Sequence, residues 1–266
     1  MYNFIDMEKK YAANNYDPIK VVLDKAKGVW MWDTEGKRYL DMMSAYSAVS
    51  FGHCNEEILE VLHNQSKKLN VASRAYYNNV LPDFMKKLTE MTGLDRVIPM
   101  STGAEGVETA IKASRLWGYK EKGIELDKAE IIVARNNFHG RTTTVISFST
   151  EDDYRKYFGP HTPGFVHVDY DSIESLENAI TKNTCAFIIE PVQGEAGILV
   201  PSKGYLKKAQ EVCKKHNVMF IVDEVQAGMG RTGKNFAFQH EIDKPDGLIL
   251  GKALGGGVLP RINPSG

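Results

Sequence analysis

The sequence has little cysteine: three residues, Cys54, Cys185 and Cys213, lie far apart. No CxxC or HxxxH spacing occurs, which argues against a zinc site, and so sparse a thiol set builds no disulfide framework. Both features fit a reducing compartment. Long hydrophobic runs are also missing. The longest, such as 185–189, fall far below the ~20 residues that a membrane helix needs. Neither sign of charge dominates, with 33 Lys and Arg against 34 Asp and Glu and a net charge of -1. A near-neutral chain with interspersed signs has no electrostatic footprint for nucleic acid. The opening residues 1–10 have no basic region followed by an apolar stretch, and they are not Arg-rich and acid-poor. No signal or transit peptide is read there. The expectation is a cytoplasmic protein with no metal, no membrane and no nucleic acid as partner.

What is present is an ordinary globular composition. Of 266 residues, 42% are hydrophobic and 25% charged, which excludes a disordered, collagenous or coiled-coil chain and is ample for a buried core. A polar arm comes first. Residues 29–32 and 38–40 then flank the turn Asp33-Thr-Glu-Gly36 and read as a hairpin. Beyond them, short apolar runs recur at 97–100, 131–133, 165–168, 186–189, 219–222 and 248–250. Helical spacing lies between most of them. Ile58, Leu62 and Leu69 share one face in 56–69, as do Leu81, Phe84, Leu88 and Met91 in 79–92. Ile111 and Leu116 mark 103–119, and Leu206, Ala209 and Val212 mark 203–215. Two-sidedly apolar strands alternating with amphipathic helices predict an α/β protein with a largely parallel sheet. Ligands of such sheets gather at the carboxyl ends of the strands.

One motif there invites a nucleotide-binding alternative. Gly228-Met-Gly-Arg-Thr-Gly233 fits GxGxxG, and with Lys234 it comes one residue short of a phosphate loop. Position 235 is Asn, so the hydroxyl that holds Mg²⁺ is missing. The acidic strand 220–224 precedes the glycines immediately, where the two motifs belong on separate strands. The plainer reading is a glycine-rich turn leaving a strand.

Four other strand ends carry polar residues with a common chemistry. Met100-Ser-Thr-Gly-Ala-Glu105 opens a long helix, and the free N–H groups of a helix start suit a phosphate. Asn137-Phe-His-Gly-Arg-Thr142 follows the 131–135 strand. Asp223 ends a fully apolar strand, where a carboxylate is costly unless it meets a cation. Lys252 stands alone among glycines after 248–250, and a buried lysine without a partner tends to lose its proton and become nucleophilic. A lysine for an aldehyde, a carboxylate for a pyridinium nitrogen, donors for a phosphate and a ring to stack on together describe a site for pyridoxal 5'-phosphate.

The segments Ser101-Thr-Gly-Ala-Glu105, Phe138-His-Gly-Arg-Thr142, Glu190-Pro-Val-Gln-Gly-Glu-Ala-Gly197, Asp223-Glu-Val-Gln226 and Leu250-Gly-Lys-Ala-Leu254 resemble class III aminotransferases. The resemblance runs from about Tyr16 to Leu259. It implies the pyridoxal-phosphate-dependent transferase fold type I, an α/β fold whose large domain holds a mostly parallel sheet. It implies a homodimer acting on an amino acid and a 2-oxo acid. Asn15-Tyr-Asp-Pro18, Ser44-Ala-Tyr-Ser-Ala-Val49 and Ser73-Arg-Ala-Tyr-Tyr-Asn-Asn79 resemble the members that move ornithine's δ-amino group to 2-oxoglutarate. Acetylornithine or another ω-amino acid is the alternative donor.

The resemblance also implies roles. Lys252 condenses with the cofactor aldehyde and shuttles a proton, and Asp223 keeps the ring nitrogen protonated. Gln226 bonds the phenolic oxygen, Phe138 stacks on the ring, and the N–H groups of Gly103 and Ala104 hold the phosphate. Arg141 pairs with a substrate carboxylate, Tyr16 and Tyr46 position ornithine's α end, and Glu195 screens one half-reaction from the other. Without the resemblance, Tyr16 reads as a surface tyrosine, Tyr46 as core packing and Glu195 as a solvated loop carboxylate. Glu190, His139, His53 and Cys54 are read as structural.

The expected organisation is an arm and hairpin over 1–40 and a large cofactor-binding domain over 41–266. Members of the family continue with a small-apolar strand, placed between 97–100 and 248–250, and with a C-terminal small domain. Here the match fades after Gly257-Val-Leu-Pro260. The expectation is therefore a C-terminally truncated member, incomplete in its large domain, lacking the small domain, and weakly active or inactive.

Overall fold

A computed structural model describes residues 3–13 and 15–258. They pack as two compact units, one made of the residues up to Tyr76 with those from Lys252 onward, the other of Tyr77–Gly251.

In the first unit, Asn3 caps a short helix, Phe4–Tyr11, whose residues leave no side chain buried. Three antiparallel strands follow: β1 (Leu23–Lys27), β2 (Trp30–Asp33) and β3 (Arg38–Leu40). The hairpin read from the sequence is β2 and β3, and β1 adds a strand to it. Asp33 makes the turn. Its carboxylate accepts from the N–H groups of Glu35 and Lys37 and from the Tyr39 hydroxyl, at 3.0, 2.9 and 2.7 Å. Next comes a left-handed turn. Ser44, Ala45, Tyr46 and Ser47 have φ of +54°, +44°, +55° and +75°. An L residue pays about 1–2 kcal/mol in this region, so the turn needs anchors. Asp41 supplies them by accepting from the N–H groups of Met43 and Ser44 at 3.0 and 2.8 Å, and by pairing with His53 at 2.7 Å. The helix Glu56–Ser66 starts at an Asn55 cap, within the range its apolar spacing predicts.

The second unit holds a five-stranded parallel sheet in the order β5-β4-β6-β7-β8. Its strands are β4 (Glu130–Ala134), β5 (Phe165–Val168), β6 (Thr184–Ile189), β7 (Met219–Asp223) and β8 (Gly247–Ile249). Both faces are covered, which is why the strands read as apolar runs. Ile132, Phe187, Ile189, Phe220 and Val222 face the helix Tyr205–Lys215 through Leu206, Ala209 and Val212. Ile131, Val133, Ala186, Ile188 and Ile221 face the helix Gly103–Lys120 through Val107 and Ile111. β6 is buried along its whole length. Each of its large side chains contributes about 1.5–3 kcal/mol by leaving water.

Several local devices were not legible in the sequence. The helix Tyr205–Lys215 begins at Gly204 with no side-chain cap of its own. Glu241 serves instead, accepting from the N–H groups of Gly204 and Leu206 at 2.5 and 2.9 Å. The run Val97–Met100, expected as a strand, is not one. Pro99 has no N–H to pair, Ile98 and Met100 are exposed, and no strand runs beside the segment among the described residues. The further strand expected after the lysine loop falls from residue 259 on, outside the described residues. Among the described residues no helix is long and apolar enough to cross a membrane.

Candidate active site

The carboxyl ends of β4, β6, β7 and β8 converge in the second unit, and the start of the Gly103–Lys120 helix lies with them. Thr102 caps that helix in a reciprocal box. Its Oγ1 accepts from Glu105 N–H at 3.1 Å, and Glu105 Oε2 accepts from the N–H groups of Thr102 and Ser101 at 3.0 and 2.6 Å. The N–H groups of Gly103 and Ala104 stand in the first turn, where no helical carbonyl serves them. Two glycines let neighbouring loops close on this turn. A methyl on Gly103 would meet Val225 Cγ1 at 2.9 Å, and one on Gly140, at φ +119°, would meet Ala104 Cβ at 2.9 Å.

Asp223 ends β7 and is buried. Its Oδ2 lies 2.7 Å from Nδ1 of His139, and its Oδ1 accepts from Val225 N–H at 3.0 Å. Each oxygen keeps a free lone pair. The His139 side chain is wholly buried, and its Nε2 has no partner among the described residues. Burial alone lowers the imidazole pKa, but the hydrogen bond and charge of Asp223, with the charge of Glu190, outweigh it and hold the ring above the ordinary histidine value. The sequence alone marks His139 as structural. The fold makes it the partner of Asp223, 84 positions away. The only sequence signal was its place beside Phe138.

Glu190, at the end of β6, accepts from Phe138 N–H at 3.0 Å and so supports the Phe138 loop, as read. The Phe138 ring meets Tyr154 edge-on, with centroids 5.9 Å apart. The Arg141 guanidinium stands 5.7 Å from the Phe138 ring centre and 5.2 Å from that of Tyr154. No motif had marked Tyr154. Gln226 Nε2 donates to Glu195 Oε1 at 3.2 Å.

The first unit carries the remaining predicted residues. The hydroxyls of Tyr16 and Tyr46 are 2.7 Å apart. Lys252 opens a 3-10 turn, Lys252–Gly255, with φ +44°, and that turn packs on the left-handed turn bearing Tyr46. Lys252 is half-buried rather than buried.

The glycine run 228–233 is a closed turn. The N–H groups of Gly228, Gly230, Arg231 and Gly233 all bond to carbonyls within 224–235, so all three of the run's glycines and Arg231 are spent on the turn itself rather than turned toward a phosphate. Glu224 latches the following segment, accepting from Ala237 and Phe238 N–H at 2.7 and 2.6 Å. This removes the geometric basis of the nucleotide alternative.

In the second unit the donor set fits a phosphorylated pyridine. A buried carboxylate with spare acceptor capacity suits a protonated ring nitrogen, and the uncapped donors at Gly103 and Ala104 suit a phosphate. A parallel sheet with this set at its strand ends is that of a class III aminotransferase, and the chain belongs to that family, whose model, aminotransferase class-III, matches residues 11–263. Class III aminotransferases use pyridoxal phosphate.

Among particular relatives the chain is 54% identical to the ornithine aminotransferase of Brevibacillus brevis over 256 residues, covering 96% of this chain and 64% of that protein. It is 53% identical to the ornithine aminotransferase of an Exiguobacterium species, covering 97% and 64%. The ornithine aminotransferase structure from Toxoplasma gondii superimposes with a TM-score of 0.95 at 44% identity, covering 97% of this chain and 61% of that one, and is described with pyridoxal phosphate at its active site. The acetylornithine aminotransferase structure of Elizabethkingia anophelis superimposes with a TM-score of 0.85 at 47% identity, covering 97% and 61%. The chain thus spans less than two thirds of the length of these relatives.

Proposed function

We propose that the chain serves the transfer of ornithine's δ-amino group to 2-oxoglutarate, giving glutamate 5-semialdehyde and glutamate. The observation that carries the donor assignment is the hydroxyl pair of Tyr16 and Tyr46, 2.7 Å apart. Two adjacent phenols offer donors and acceptors to an α-amino and α-carboxylate group, which leaves the δ-amine as the end that reacts.

When bound, pyridoxal phosphate supplies an aldehyde and a ring that draws electrons from the reacting carbon. The chain's residues do the rest. Gly103 and Ala104 hold the phosphate through their N–H groups. Asp223 holds the proton at the ring nitrogen, and His139 fixes Asp223 in orientation and charge. Phe138 would supply the aromatic face for the ring, and Gln226 would supply an N–H donor for its phenolic oxygen. The Lys252 amine would hold the cofactor's aldehyde and, once the donor amine displaced it, would be the base placed to take the proton from the donor's δ-carbon and deliver it to the cofactor's former aldehyde carbon. Arg141 engages the carboxylate of the oxo acid with its planar fork. Glu195 screens the site against a second carboxylate while ornithine is the ligand. Glu190 keeps the Phe138 loop in place.

The proposal extends to a homodimer in the cytoplasm, with a place in arginine metabolism and proline biosynthesis. Acetylornithine is the second reading, supported by the Elizabethkingia likeness. Two measurements test the assignment. Borohydride reduction of the cofactor-loaded chain should label Lys252, and Lys252→Ala should abolish labelling; mapping to another lysine refutes the role. Ornithine should bleach the cofactor's absorbance in a single turnover and N-acetylornithine should not, with Tyr46→Val reducing the preference. Bleaching by N-acetylornithine alone would move the assignment to the second reading.

A further inference from the structure

Gln226 lies across Gly194. A methyl group built on the Gly194 α-carbon would fall inside the Gln226 carboxamide, so a side chain at 194 and this placement of Gln226 exclude each other. From that seat the carboxamide reaches Glu195 at 3.2 Å. Gln226 itself is tied to the end of β7, because Val225 N–H is bonded to the Asp223 carboxylate at 3.0 Å. The loop that offers Glu195 is pinned at its base. Gln193 and Leu199 exchange both backbone hydrogen bonds, at 3.0 and 2.9 Å. The buried Gln193 side chain donates to the Arg135 carbonyl at 2.8 Å. Ile198, a β-branched residue, takes φ +61° to close the loop. A β-branched side chain resists that region, so the loop's shape is imposed by its anchors rather than chosen locally.

We infer that Gly194 and Gln226 are positioning residues for Glu195: the missing side chain at 194 seats the Gln226 carboxamide, and the carboxamide holds the Glu195 carboxylate beside the strand end that bears Asp223. This rests on the proposed role of Glu195 as the group that screens the site from a second carboxylate. A carboxamide has two N–H donors. One can hold Glu195 while the other remains for the phenolic oxygen assigned to Gln226, so the two roles of Gln226 are compatible.

The test uses the cofactor-free chain with ¹⁵N-labelled glutamine, the Gln226 side-chain resonance being assigned by its loss in Gln226→Met. In Glu195→Ala the Nε2–H resonance should shift upfield, because a charge-assisted hydrogen bond is gone. Glu195→Gln keeps an acceptor and should restore most of the wild-type position. Gly194→Ala should reproduce the Glu195→Ala shift; if that variant does not fold, the two Glu195 variants decide. A Gln226 resonance that ignores Glu195→Ala overturns the inference. Pyridoxal phosphate uptake by the wild-type chain is measured separately. Its failure would remove the functional reading and leave this result standing.

Discussion

Nδ1 of His139 and Oδ2 of Asp223 are 2.7 Å apart, and both residues are buried. The pair makes stability depend on pH. The folded pKa of His139 is raised, so protonation favours the fold. The stability it lends is complete below the unfolded value of 6.5 and is lost as pH rises through the higher folded value. His139→Phe should remove that part of the slope. Urea midpoints followed from below pH 6.5 upward measure it, and parallel profiles for the two proteins would refute the pairing as a source of stability.

Glu224 gives a second, lower window. Burial pushes its carboxyl up to about 7 from an ordinary 4.5, against the opposing hydrogen bonds from Phe238 and Ala237. A raised acid pKa also favours the protonated fold. Its contribution is present below 4.5 and lost as pH rises through about 7. Glu224→Gln should flatten the fall between these values and leave the higher window of His139 intact. The same urea series separates the two.

Tyr154 should matter to binding although it lies in no motif. With Phe138 it flanks the Arg141 guanidinium. An exposed cation–π contact is worth about 0.5–1 kcal/mol, or roughly a two- to fivefold change in affinity. Tyr154→Leu should weaken 2-oxoglutarate binding to the cofactor-loaded chain by that factor, and Tyr154→Phe should not. Calorimetric titration reads the difference; equal loss in both variants would point to the hydroxyl instead.

The left-handed turn at Ser44–Ser47 should be improvable. Ala45 has φ +44° and pays for its Cβ. Ala45→Gly should stabilise the chain by about 0.5–1 kcal/mol, after the extra entropy of glycine in the unfolded state. A thermal melt that falls instead would show that the Cβ is held by packing.

What the sequence revealed followed from periodicity and from local motifs. All five strands of the parallel sheet stand where their apolar runs lie, because cover on both faces leaves the strands mostly apolar, with polar residues such as Glu130, Thr184 and Asp223 at their ends and His167 the exception inside β5. The spacing of Ile111 and Leu206 likewise located their helices. Val97–Met100 misled because an apolar run signals burial or pairing but does not supply the partner strand. The residues of the site were legible one by one. Their couplings were not: His139 with Asp223, Gln226 with Glu195 and Tyr154 with Arg141 join segments 84, 31 and 13 positions apart. Nothing local marks such pairs. The turn bearing Tyr46 escaped notice because Ser-Ala-Tyr-Ser carries no glycine to announce a left-handed backbone.

The complete burial of β6 sets a clock for the amides of the second unit. Its N–H groups are paired to β4 on one side and β7 on the other, with no face open to solvent. Local fraying cannot release them, so their exchange with deuterium waits for global unfolding. Ala186–Ile189 should therefore retain hydrogen longest. Glu190 follows them directly, so the support of the Phe138 loop is bolted to the slowest-exchanging stretch of the unit.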